Sequence, residues 1–349
     1  GDTVAVAASV IVAGGVVVPG RDLALIGGWD DAFETIVGQT AVAGGPAAPA
    51  LHVEAPATGS PLVAGFAITG GGGAERSAPV LGRYGGGVLV EGGDPILRDL
   101  SIAMAEAGRA SDFGAGGGLA LLDTEATVER VTVTGCRAVW GGGIYVSGGA
   151  PLVRDCVLDD NECRPSPGPE EARGAGLAVH LGDLVVEGCE IGGGRGAVRG
   201  GGVAWLGTRG RVLELRDCTI TDNEMDLDGA GLYAEAGAVT IAGGRFEGNV
   251  PSPDAPYTSG GGAYLTGARA TVDGATFAAN RADAGGGVTV NTAAEADVRG
   301  CVFLENEVTL FGAALNYQSN DAGEISGNTM AANVGAIDRA VVNIVSASP

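Results

Sequence analysis

The chain has 349 residues and carries 42 Asp and Glu against 20 basic residues, all of them arginine, for a net charge of −22. That balance argues against nucleic-acid binding, which needs a basic surface to neutralise phosphate. No run of 18 or more apolar residues occurs, so no membrane-spanning helix is expected.

Residues 1 to 45 read as two or three short strand-rich coils: Val4 to Val12, Gly15 to Val18, then Leu23 to Ile26. The chain opens already inside a first coil, and no signal peptide is visible. A leader and an end cap are therefore expected to precede it. Gly27 to Asp31 (GGWDD) ends a strand with a turn, and Trp29 is read either as a lid over the first coils or as a sugar-stacking residue. A further coil follows (Leu51 to Val53, Leu62 to Ile68), then a glycine-rich polar loop ending at Tyr84.

From Gly85 to about residue 335 one phrase recurs. A glycine triplet comes first, then an alternating apolar strand such as Ile144 to Val146, then a second strand that closes on asparagine. The third triplet position falls at Gly87, Gly118, Gly143, Gly176, Gly202, Gly231, Gly262, Gly287 and Ala314, in steps of 25 to 33 residues. The closing asparagines are Asn161, Asn223, Asn249, Asn280, Asn306 and Asn333. Three residues before each sits a large apolar residue: Leu158, Ile220, Phe246, Phe277, Phe303 and Met330. Five before sits a mostly small one, with cysteine at 156, 218 and 301. Like residues at like positions predict coils stacked in register, with shared interior columns and an asparagine ladder. The expected fold is all-β: a right-handed single-stranded parallel β-helix of roughly twelve coils, one domain over 1–349. Within it 1–84 are irregular, 85–335 regular, and 336–349 a terminal strand or cap. Gly reaches 65 residues, but the 45% hydrophobic content lies on a two-residue period, so a core is available.

These phrases resemble the GGA(I/L/V) and FxxN repeats of chlamydial polymorphic outer-membrane proteins and related bacterial surface proteins. The matching residues are Gly261-Gly262-Ala263-Tyr264, and the segments FEGN, FAAN and FLEN ending at Asn249, Asn280 and Asn306. The resemblance covers about residues 85 to 335 and implies a β-helix at a bacterial surface; the translocator barrel of those proteins has no counterpart here.

Three insertions interrupt the repeats, at Ala105 to Phe113, Arg164 to Arg173 and Pro251 to Ser259. Placed at one corner of successive coils they form a patterned edge, either a binding surface or tolerated loops. Of the six cysteines, Cys156, Cys189, Cys218 and Cys301 share an inward column and are expected as buried thiols. Cys136 and Cys163, at the closing turns of neighbouring coils, are the candidate disulfide.

Chemistry is sparse. Asp222, Asp226 and Asp228, within a near-match to a calcium-loop spacing, are the candidate calcium ligands; no other cofactor is expected. Carboxylate pairs for glycosidic cleavage are Asp30 with Asp31, Asp159 with Asp160, and Asp226 with Asp228, each also explained by turn formation. His52 and His180 stand alone, and no constellation of acids and arginines gathers on one face. No residues follow the glycine runs as a phosphate loop requires, and threonines form no flat repeated face.

The expectation is a noncatalytic, secreted or cell-surface protein, adhesin-like or structural, with catalytic residues none. Its partners are then carbohydrate or a host or cell surface, or other copies joined end to end through open coil ends into a filament. The alternative is a carbohydrate-active β-helix enzyme, a polysaccharide lyase or glycoside hydrolase, which requires a groove holding carboxylates, an arginine and aromatic platforms.

Overall fold

The computed structural model describes residues 2–345 apart from 10, 14, 20–22, 57–58, 78–79, 109–111, 167–170, 293–294, 319–322 and 336–340. Parts of the first two insertions and most of 336–349 thus lie outside the described residues. Three parallel sheets of twelve strands each run the length of the molecule, and the chain visits them in fixed order. One rung is Leu152–Arg154 in the first sheet, Val157–Asp159 in the second and Glu162 onward through a corner to Leu177–His180 in the third. Twelve such rungs wind as the expected right-handed parallel β-helix, with no helix among the described residues.

The interior columns follow the sequence period. In the second sheet Ile191 pairs with Ile220, Ile220 with Phe246, Phe246 with Phe277, Phe277 with Phe303 and Phe303 with Met330. Phe246, Phe277 and Phe303 are fully buried and stack with centroids 4.9 and 5.3 Å apart. Identical rings one rung apart fall at this distance because the strands themselves are about 4.8 Å apart.

The asparagine ladder closes the corner after the second sheet. The Asn249 Nδ2 donates to the Ile220 carbonyl at 2.9 Å and to Asn280 Oδ1 at 2.9 Å. Asn280 repeats the pattern toward Phe246 and Asn306, and Asn306 toward Phe277 and Asn333. Each ladder oxygen also accepts the backbone N–H of the previous asparagine. The first glycine of each triplet opens the next strand in the left-handed region, as at Gly260 (φ 69°) and Gly285 (φ 61°), where a side chain would be strained.

All six cysteines are buried and free. The inward thiol column is as expected: the Cys156 amide donates to Cys189 Sγ, and Cys218 Sγ donates to the Val186 carbonyl. The Cys136–Cys163 pairing is corrected. Cys136 points into the main core and its amide donates to Asn161 Oδ1 at the head of the ladder. Cys163 lies on the other side of the backbone, packed with Ala172, Ala175 and Ala197. Burial pushes the Cys136 thiol up to about 11 and Cys163 up to about 12, so neither is a ready thiolate. Unfolding without reductant is therefore expected to expose six titratable thiols, whereas a Cys136–Cys163 bond would leave four; a thiol-reagent count in denaturant decides.

Candidate functional site

The insertions all leave the corner between the second and third sheets, so they fold over the outer face of the third sheet. Along that face one outward column runs Leu89, Ala120, Tyr145, Ala178, Ala204, Tyr233, Tyr264 and Thr289. Opposite it, the residue just before each glycine triplet forms a ladder of its own: Ala115, Trp140, Arg173, Arg199, Asp228, Ser259 and Ala284. No interior column has this mixed chemistry.

Toward the N-terminal rungs the covering is aromatic. Tyr84, Phe113, Trp140 and Tyr145 form a second small core outside the helix, with Phe113 and Trp140 edge to face at 5.3 Å. His180 meets the Trp140 ring at 5.1 Å, so it is not isolated. His52 Nε2 lies 2.6 Å from Glu91, whose carboxylate also pairs with Arg76. Arg76, then His52, hold the Glu91 carboxyl below its usual range, and burial opposes them.

From Arg173 onward the face becomes polar. Ala178 and Ala204 are small, which leaves room for two guanidinium groups to lie along the sheet. Arg173 and Arg199 both reach the Tyr233 ring, 5.9 and 5.5 Å from its centroid. Glu171, brought in by the second insertion, pairs with both arginines, and Arg199 Nε also bonds Asp228 at 3.1 Å. The Tyr233 hydroxyl donates to Glu235 at 2.9 Å. Tyr264 stacks on Tyr233 at 5.7 Å and 9°, and Asn291 donates to its hydroxyl at 2.6 Å. Tyr257, on the third insertion, is half exposed, and Asp283 and Asp228 help raise its phenol beyond the effect of burial. Three carboxylates, two arginines and three tyrosines therefore occupy one stretch of one face. This corrects the expectation that no such constellation exists. Its signal was present as the residue preceding each glycine triplet.

The other candidates fare differently. Among the described residues no group of three or more His, Cys, Asp or Glu side chains is arranged to hold a metal ion. Asp222 sits in a left-handed turn (φ 54°) next to the asparagine ladder, while Asp228 is committed to Arg199. Asp30 caps a turn, its carboxyl held low by the Glu34 amide and then the Thr35 hydroxyl. Asp159 and Asp160 are exposed at a corner, and Asp160 pairs with Arg195. Trp29 ends the strand Leu23–Trp29, half-buried, and bridges to Ile36 across its turn.

Burial raises the Asp228 carboxyl above its ordinary value, more than Arg199 lowers it. A raised folded-state value favours the protonated acid, so the stability this group contributes is present below the unfolded carboxyl value and is lost as pH rises through the folded one. Glu91 has the opposite sign: its contribution is present above the ordinary carboxyl value and is lost as pH falls. Relative to wild type, Asp228→Asn is thus expected to gain stability as pH rises above about 4, and Glu91→Gln to lose it. Melting curves between acid and neutral pH check both slopes; a pH-independent offset for either variant contradicts its assignment.

The chain matches no protein-family model and no curated protein.

Proposed function

We propose that this is a noncatalytic recognition protein of a bacterial cell surface, a rigid β-helix that binds carbohydrate on the outer face of its third sheet. The observation that carries this reading is the Tyr233–Tyr264 stack, flanked by Arg173, Arg199, Glu171 and Glu235 and overhung by the half-exposed Tyr257. Sugars are bound by aromatic faces together with forked polar side chains, and both types sit here on rigid strands. The GGA and FxxN phrases, similar to those of chlamydial polymorphic outer-membrane proteins, support the surface location. A screen of immobilised glycans is expected to retain the protein. Tyr257→Ala and Tyr264→Ala are expected to weaken retention about tenfold, and Thr271→Ala on the first sheet to leave it unchanged. Retention that survives both tyrosine variants, or none at all, rejects the site.

A second reading, a glycosidase or lyase, is favoured by one observation: Asp228, whose carboxyl burial raises above its ordinary value, shares Arg199 with a second carboxylate, Glu171. Glycosidic cleavage uses two carboxyl groups, one of them with a raised value. Incubation with acidic and neutral polysaccharides, with Asp228→Asn as control, tests it; product released equally by the variant excludes this acid. Self-association belongs to the first reading. An end rung of a parallel β-helix left uncovered would accept strands of another copy. Sedimentation velocity over rising concentration should then show longer species, and a concentration-independent monomer would remove this element.

A further inference from the structure

The corner between the third and first sheets carries a different feature. A hollow of about 440 Å³ nearer the N-terminal rungs has Glu91 and Asp123 in its wall; a second, of about 620 Å³, lies at the eighth to tenth rungs of the first sheet. Its walls carry Arg209, Arg211 and Arg269, and no carboxylate lines it. In a chain with 42 acids and 20 arginines that is unusual. The hollow near Arg137 and Arg195, by contrast, has Glu106, Asp160 and Glu162 in its wall.

The concavity has a structural cause. Trp205 is fully buried at the end of its strand, and its ring reaches the corner, where a Cβ on Gly207 or Gly237 would collide with it. Gly237 also needs its positive φ of 67°. Glycine is therefore required at position 237 in the wall, where with Ala236 and Ala238 it leaves a hollow edged by the three arginines.

The strand register spaces them. Val212 pairs with Ala238 and Ala238 with Arg269, so Arg211 and Arg269 stand on rungs two steps apart, about 9–10 Å. Arg211 is paired with Asp183 at 3.2 Å and Arg269 with Glu295 at 3.4 Å. Both pairs are substantially exposed, where such contacts hold little free energy. Arg209 is exposed and makes no ion pair with any described residue. Each guanidinium has five donors, and most of these remain available.

The geometry points to this hollow as a binding site for a tetrahedral oxyanion, a phosphate or sulfate group, either as the free ion or as an ester on a sugar. In this proposal Arg211 and Arg269 leave Asp183 and Glu295, which lie on the rungs to either side, and join Arg209 on three oxygens of such a group, where a carboxylate offers two. A long polyanion is disfavoured, because charge beyond about 10 Å of the hollow is dominated by the acidic exterior.

The test is equilibrium dialysis against radiolabelled phosphate at constant ionic strength in chloride, with unlabelled sulfate and glucose 6-phosphate as competitors. Wild type is expected to bind one phosphate, displaced by sulfate. Arg209→Ala, which breaks no ion pair with a described residue, is expected to bind about tenfold more weakly. The double variant Arg211→Ala with Arg269→Ala should lose binding, and Arg137→Ala should retain it. Circular dichroism confirms that each variant stays folded. Glucose 6-phosphate competing better than free phosphate assigns the ester as ligand, and equal competition assigns the ion. No binding above chloride background, or binding unaffected by Arg209→Ala, overturns the site. None of these outcomes depends on the third-sheet face, since no residue of the tyrosine cluster is altered.

Discussion

Phe277→Ala is expected to destabilise the protein by about 3–5 kcal/mol. Phe277 is fully buried and stacks on Phe246 at 4.9 Å and on Phe303 at 5.3 Å, nearly parallel to both. Removing the ring takes away its burial and two aromatic contacts together. The hole has little means of closing. The rungs above and below are held apart by backbone hydrogen bonds of the second sheet, so Phe246 and Phe303 cannot move together to fill it. Phe277→Leu, which keeps most of the volume, should cost about 1–2 kcal/mol. Denaturant titration measures both. A loss below about 1 kcal/mol for the alanine variant would mean that the stack is not a continuous core column.

Asn280→Leu, close in shape but apolar, is expected to cost about 3–5 kcal/mol. Asn280 is fully buried and sits in the middle of its ladder. Its Nδ2 donates to the Phe246 carbonyl and to Asn306 Oδ1, and its Oδ1 accepts both the amide and the Nδ2 of Asn249. Leucine leaves the buried Asn249 amide without its acceptor and takes one bond each from the Phe246 carbonyl, the Asn306 Oδ1 and the Asn249 Nδ2, although the last two keep the residue-280 amide and the Ile220 carbonyl. The damage should be local in origin. In native-state hydrogen exchange the Asn249 amide, which has lost its acceptor, should exchange faster, while first-sheet amides many rungs away keep their protection. Adding Asn306→Leu should cost less than a second full increment, because its Oδ1 has already lost a donor. Strict additivity would indicate that each asparagine acts alone.

Interior positions were legible in the sequence because a solenoid forces the same requirement on each rung. The Phe246, Phe277 and Phe303 column, the asparagine ladder and the inward cysteines each repeat at a fixed offset from the closing turn. The outer face obeys no such constraint. Trp140, Arg173, Arg199, Asp228 and Ser259 stack as neighbours at a fixed offset from the glycine triplets, but their side chains differ in kind, so the position repeats while the chemistry does not. The constellation also joins residues about one rung apart, such as Arg199 and Asp228, which lie 29 positions apart in the chain. A reading of contiguous spacing grouped Asp222, Asp226 and Asp228 instead, where a turn and a strand separate their roles. The cysteine pair failed for a related reason. Cys136 and Cys163 occupy neighbouring corners, but sequence position does not say which side of the backbone a corner residue faces.

The hollow at Arg209 was unreadable for a third reason. Gly237 in its wall answers to Trp205, a bulky residue at a position that is mostly small or β-branched in neighbouring rungs: Val146, Val179, Ala234 and Leu265. A substitution inside the core thus shapes a concavity outside it. Only the strand register connects the two.

The stacked arrangement on which both sites depend is tested most directly by distances along one column. Arg98, Glu187, Ala242 and Arg299 are aligned in the first sheet, on its fourth, seventh, ninth and eleventh rungs. Spin labels paired between position 98 and each of the others should give separations rising linearly by about 4.8 Å per rung, to about 34 Å at position 299. Separations that fail to rise with rung number would contradict the stack, and with it the placement of every outer-face residue.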